Sequence, residues 1–249
     1  MANTPPVKVA VLDSGLDPAF SPHRNLTYLD YSRDGRLTPS TEQADPIGHG
    51  TRVVKILDDI LPVEVDLVVG RLPSDPTRMT TLSSAHALGD LVSRALPDVI
   101  NLSVAPRDNV FVCPSCHERV PVPTFLPTFF SMVLRLAGKT SQSTITVMAA
   151  GNSGQVGNSR WLNQDIETLL LAIAENRHGD RARYSGGAEG PLADLFSASA
   201  FGGDDPDEPG AVGAFSDGSQ GTSFAAPFLT CAALLAKWRT AGTPTLSRR

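Results

Sequence analysis

The chain has 249 residues, 41% hydrophobic and 19% charged, and its 21 basic against 26 acidic side chains give a net charge of −5. That composition supplies apolar surface for one large α/β domain or two small ones, excludes a coiled coil, and lacks the basic footprint of a sequence-independent nucleic-acid binder. Three cysteines are too few for a disulfide framework, and the most apolar stretch, residues 224–236, falls short of the roughly 18 residues of a membrane span.

In chain order, Val7, Val9, Val11 and Leu12 form an apolar run closed by Pro5-Pro6 before it and Asp13-Ser14-Gly15 after it. This reads as a buried parallel strand ending in a tight turn. Gly48-His49-Gly50-Thr51 opens a helical pattern over 51–61, with Val53, Val54, Leu57 and Leu61 on one face. Strand-like runs at 65–72 and 99–104 flank a second helical pattern over 81–96. A less regular helix is expected over 125–136, strands over 144–149 and 169–174, and a last helix over 224–238. Such alternation implies crossover units and a doubly wound, mostly parallel sheet, with its functional crevice beyond the carboxyl ends of the strands. Asp13 stands at the first of those ends. The proline-rich segment 106–124 and the acidic segment 202–213 read as loops within one domain, 1–249, rather than as linkers.

Four short motifs carry the chemistry: Asp13-Ser14-Gly15, Gly48-His49-Gly50-Thr51, Ala149-Ala150-Gly151-Asn152-Ser153-Gly154, and Gly221-Thr222-Ser223-Phe224-Ala225-Ala226-Pro227. Each alone has a structural explanation: a turn carboxylate, a helix-start histidine, a Gly/Asn turn and a serine N-cap. Together they supply the residue types of acyl transfer. A serine hydroxyl needs an imidazole to take its proton, the imidazole needs a carboxylate to fix its tautomer, and the oxyanion needs preplaced donors. With these stretches, and with Val99-Ile100-Asn101-Leu102-Ser103 beside them, the chain resembles a subtilisin-like serine protease. Asp, His and Ser occur in the chain order of that family.

The resemblance implies a three-layer α/β/α sandwich. It implies Ser223 as nucleophile, His49 as general base and then acid, and Asp13 as the group that orients His49. It implies an oxyanion hole of the Asn152 side chain and the Ser223 N–H, with Leu102, Ser103, Val104 and Ala105 binding an extended substrate. Ala149, Ala150 and Gly151 would wall the pocket for the side chain before the scissile bond. The expected activity is hydrolysis of peptide bonds in a polypeptide substrate. A ligase or cyclase using the same residues, or a catalytically silent binding module, are the alternatives.

Several features depart from secreted relatives. The step from 51–61 into 65–69 lacks the excursion that carries a calcium site in extracellular members, and no metal or other cofactor is expected. Residues 1–12 hold no signal or prodomain, so a cytoplasmic enzyme is expected, restrained by a regulatory protein partner, by 106–124 or by narrow specificity, with no membrane or nucleic-acid partner. Cys113-Pro-Ser-Cys116-His117 is open to zinc binding, to a redox-labile pair or to plain thiols. The run 204–208 is expected as a solvated loop, with a charged rim as the alternative.

Overall fold

A computed structural model describes residues 6–73, 81–103, 110–112, 119–121, 133, 144–152, 154, 168–187 and 197–240. Its strands, in chain order, are β1 (Lys8–Asp13), β2 (Leu26–Asp30), β3 (Asp66–Arg71), β4 (Val99–Leu102), β5 (Val110–Val112), β6 (Arg119–Pro121), β7 (Ile145–Ala149), β8 (Leu169–Glu175) and β9 (Ser197–Phe201). Three helices are described: α1 (His49–Ile60), α2 (Thr81–Ala95) and α3 (Thr222–Thr240). Seven strands build one sheet in the order β2-β3-β1-β4-β7-β8-β9, and every pairing within it is parallel. β5 and β6 form a separate antiparallel pair.

The period of two along each strand divides the core into two faces. Ala10 and Leu12 of β1 face α2, where they meet Leu88, Leu91, Val92, Ile100 and Met148. Val9 and Val11 face the other way, against Val53, Val54 and Leu57 of α1 and Phe224, Leu229 and Leu234 of α3. Helices thus cover both faces of the sheet, giving the three-layer α/β/α sandwich. Burying each such aliphatic side chain contributes about 1.5–3 kcal/mol. The strand order reverses at β1, which lies between β3 and β4, so the end of β1 is a switch point of the sheet and Asp13 sits on it.

Four strands escape the sequence reading: β5 and β6 pair within 106–124, which reads as a loop, and the other two, β2 and β9, lie at sheet edges. Their sequences, Leu-Thr-Tyr-Leu-Asp and Ser-Ala-Ser-Ala-Phe, are half exposed and carry no continuous apolar run. The expected helix over 125–136 falls, apart from Val133, outside the described residues, as do Cys113, Cys116 and His117. The acidic run is a solvated loop only in part, with Pro206 and Asp207 exposed. Asp204 and Asp205 are buried. Asp204 accepts from the N–H groups of Arg177 and Val212, Asp205 from that of Arg183, and both carboxylates also pair with the arginine side chains. The run therefore pins the segment after β9 onto the turn after β8. Among the described residues no helix is long and apolar enough to cross a membrane.

Candidate active site

The carboxyl end of β1 and the first turn of α1 are fastened together by one carboxylate that sequence motifs did not flag. Gly48 caps α1 without a side chain, and Asp45 takes over that task. Its Oδ1 accepts from Ser14 Oγ at 2.8 Å and Gly48 N–H at 3.0 Å, and its Oδ2 accepts from the N–H and hydroxyl of Thr51 at 2.8 and 2.7 Å. Ser14 Oγ in turn accepts from Gly50 N–H at 2.9 Å. Burial pushes the Asp45 carboxyl up, but the hydrogen bonds from Thr51, Ser14 and Gly48 outweigh it and hold it below the ordinary carboxylate range. The turn and the helix approach so closely that a Cβ on Gly50 would lie 2.8 Å from the Gly15 nitrogen, so this position requires glycine.

This joint delivers His49 to Asp13. The Nδ1–H of His49 donates to Asp13 Oδ1 at 2.7 Å, and the same oxygen accepts from Ser14 N–H at 2.7 Å. Asp13 is 1% exposed. Burial alone would push the His49 imidazole down. The hydrogen bond to Asp13 and the charges of Asp13 and Asp45 outweigh that, against Arg52, and its pKa is raised. The imidazole is partly exposed, and its ring packs on Phe224 with centroids 5.5 Å apart. Phe215 closes on Phe224 edge-on at 5.2 Å.

Ser223 is the second residue of α3 and is 9% exposed. Its hydroxyl donates to the backbone carbonyl of Ser103 at 3.0 Å, and the Ser103 hydroxyl returns a hydrogen bond to the Ser223 carbonyl at 3.0 Å. The second bond has a cause in the sequence. Pro227 lacks the N–H that would bond the carbonyl four residues earlier, which is that of Ser223, so this acceptor is free for Ser103. Behind Ser103, Asn101 Nδ2 donates to its hydroxyl at 2.8 Å and Thr230 donates to Asn101 Oδ1 at 3.0 Å.

Asn152 follows β7 and reaches the same helix start. Its Oδ1 accepts from the N–H and hydroxyl of Thr222 at 2.9 and 3.0 Å, which turns the amide nitrogen toward Gly221. A Cβ on Gly221, whose φ is +152°, would lie 2.9 Å from Asn152 Nδ2, so the approach needs glycine there. The Thr222 hydroxyl also accepts from Gly151 N–H at 3.1 Å, and the Gly151 carbonyl is held by Gly186 N–H at 2.7 Å.

Of the residues expected from sequence, Asp13 and His49 are joined directly, Ser223 is joined to Ser103, and Asn152 is joined to the residue before Ser223. Leu102 is fully buried in the core cluster with α2 at the end of β4. Ala149 is buried at the end of β7, and Ala150 and Gly151 are partly exposed beside it. Val104 and Ala105 lie outside the described residues. Asp45, Asn101, Thr222, Thr230 and Phe224 carry no role in the sequence reading. Asn101 has a readable signal, a lone amide within the apolar run of β4.

An all-parallel α/β/α sandwich with its polar residues gathered at the carboxyl ends of β1, β4 and β7 is the subtilisin-like fold. The profile of the subtilase family matches residues 5–245, and the chain belongs to that family. The fold is similar to that of the protease domain of PatA, at 19% identity and a TM-score of 0.58 over 95% of this chain and 82% of that one. It is likewise similar to the epidermin leader peptide processing serine protease of Staphylococcus aureus, at 16% identity and a TM-score of 0.65 over 96% of this chain and 66% of that one. A cold adapted subtilisin-like serine proteinase matches at 19% identity and a TM-score of 0.59 over 93% and 75% of the two chains. No curated protein sequence matches closely enough to mark a relative. Family membership supports serine protease activity.

Proposed function

We propose that the chain is a serine endopeptidase that hydrolyses peptide bonds through an acyl-enzyme on Ser223, working as one catalytic unit under narrow specificity or a regulatory partner. The observation that carries this reading is the 2.7 Å hydrogen bond from His49 Nδ1–H to buried Asp13, at a helix start that packs through Phe224 against the helix bearing Ser223. With Nδ1 committed to Asp13, Nε2 is the basic nitrogen facing the cleft. Ser223 Oγ attacks the substrate carbonyl carbon and its proton passes to Nε2. The carbonyl π electrons move onto oxygen, where the Ser223 N–H and Asn152 Nδ2 receive the charge. Collapse expels the amine, which takes the proton from Nε2, and water repeats the sequence on the ester. Asp13 stays ionised throughout and stabilises the imidazolium. The N-terminal end of α3 adds its partial positive charge to the oxyanion side.

The test is covalent labelling by a fluorophosphonate together with Ser223→Ala. The folded wild type is expected to label at Ser223, and the variant to lose labelling and about 10⁶ in kcat. Folded wild-type protein that does not label, or a variant that still hydrolyses peptides, overturns the reading.

A further inference from the structure

We infer that the backbone carbonyl of Ser103 parks the nucleophile between turnovers, and that the substrate's own amide releases it to His49. This rests on the reading of Ser223 as the nucleophile. A serine hydroxyl has one proton to donate. In this structure that proton goes to the Ser103 carbonyl at 3.0 Å, so it is not offered to His49 Nε2.

The position of that carbonyl decides what can displace it. β4 pairs with β1 as far as Asn101 and with β7 as far as Leu102, so Ser103 lies past the end of both ladders, by two residues and by one. Its carbonyl therefore takes the Ser223 hydroxyl where a further strand would supply an N–H. When a substrate carbonyl carbon comes to within about 3–3.5 Å of Oγ for attack, the amide nitrogen of the same residue is two bonds from that carbon. The Ser103 oxygen lies 3.0 Å from Oγ. An extended substrate in register with β4 brings its N–H to that oxygen, and one neutral hydrogen bond replaces another, so the exchange is nearly balanced.

The rest of Ser223 is built to stay still while its hydroxyl turns. The relay from Thr230 through Asn101 to Ser103 ends on the Ser223 carbonyl that Pro227 leaves free, and Asn101 and Thr230 are fully buried. The helix start is thus anchored to β4, and release needs a rotation about the Ser223 Cα–Cβ bond rather than a movement of α3. The device ties activation of the nucleophile to a substrate's strand-like binding, so extended peptides gain in acylation rate over reagents that bring no such N–H, and those reagents still label through the fraction of Ser223 hydroxyls turned to His49.

The experiment is an NMR titration of the full chain labelled with ¹⁵N-histidine, in wild type and Ser223→Ala, with His49→Gln to assign the His49 signals. Asp13, Asp45 and Arg52, the charged groups acting on His49, are the same in both chains, so a difference isolates the hydroxyl. The probes are an acetylated peptidyl alcohol ending in leucinol, which cannot acylate, and its N-methylleucinol counterpart, each at saturation as judged by competitive inhibition of hydrolysis. The two chains are expected to give the same Nε2 shift and titration midpoint without ligand. They are expected to separate when the leucinol compound binds, and to stay together with the N-methyl compound. Separation without ligand, no separation with leucinol, or equal separation by both compounds overturns the parking. Loss of hydrolysis in Ser223→Ala alongside any of these leaves the protease reading intact, whereas retained hydrolysis in that variant removes both.

Discussion

The two halves of the candidate site stand in different states of readiness. On the β1–α1 side, Asp13 and His49 are already joined at 2.7 Å, and Asp45 ties the turn to the helix through four donors. On the β4–β7–α3 side, the Ser223 hydroxyl and the Asn152 carbonyl oxygen are engaged with Ser103 and Thr222. Under the proposed function the β1–α1 side is the acid–base half, charged and largely buried, and it gains from fixed partners because a misplaced charge there is costly. Under the same reading the Ser223 side is the nucleophile half, neutral and required to admit the substrate backbone, so its hydrogen bonds are of a kind a substrate can exchange at little cost.

Substitutions on each side sharpen this contrast. Asp13→Asn keeps the shape but reverses the donor requirement at His49 Nδ1, so kcat is expected to fall by about 10⁴ with little change in KM. A loss below tenfold in steady-state kinetics would detach Asp13 from the chemistry. Asn152→Asp comes next. It retains the oxygen that Thr222 uses but replaces the amide donor with an anion, so kcat is expected to fall by at least about 10²–10³ while the melting temperature moves little. A large loss of stability with unchanged kcat in the folded fraction would make Asn152 a brace for α3 alone.

Asp45→Ala is a smaller and differently shaped change. It strips a helix start of its cap and leaves Ser14, Gly48 and Thr51 short of an acceptor, so stability is expected to fall by about 1–3 kcal/mol in chemical denaturation. Its effect on pH dependence has a definite sign. The proposed mechanism needs neutral His49, whose pKa is raised, so activity of the wild type rises with pH through a midpoint above the ordinary histidine value. Asp45 is one of the charges that raises it. Removing that charge is expected to move the acid limb of kcat/KM to lower pH. A limb that stays in place would show that Asp45 holds the joint without acting on the imidazole.

The parts of the molecule legible in its sequence are those encoded by composition over several consecutive residues. β1, β3, β4, β7 and β8 are apolar runs because both of their faces are covered, and α1 shows its buried stripe plainly. β2 and β9 are edge strands with a half-exposed pattern, so no run marks them. At the site, Asp13, His49, Asn152 and Ser223 are legible because each sits in a glycine-rich turn of recognisable order. Asp45 is not, because its four donors come from two elements that meet only after folding. The same holds for Asp204 and Asp205, whose acidic surroundings read as surface while Arg177 and Arg183 bury them.

The smallest expected effect tests whether the two halves communicate through packing. Phe224 belongs to the helix that carries Ser223 but touches the imidazole of the other half, and Phe215 braces it from behind. Phe224→Leu keeps most of the apolar volume in the cluster below α1 and α3, so the fold survives. It removes both ring contacts, and aromatic pairs contribute about 0.5–1.5 kcal/mol beyond their burial. If Phe224 fixes the imidazole plane, part of that energy enters the transition state, and kcat is expected to drop by about three- to tenfold with KM nearly unchanged. Asp13 holds the ring by one edge at Nδ1, which leaves rotation about that hydrogen bond as the freedom that Phe224 restricts. A kcat equal to wild type, with only the melting temperature lowered, would show that Asp13 and Asp45 orient His49 without help from the nucleophile's helix.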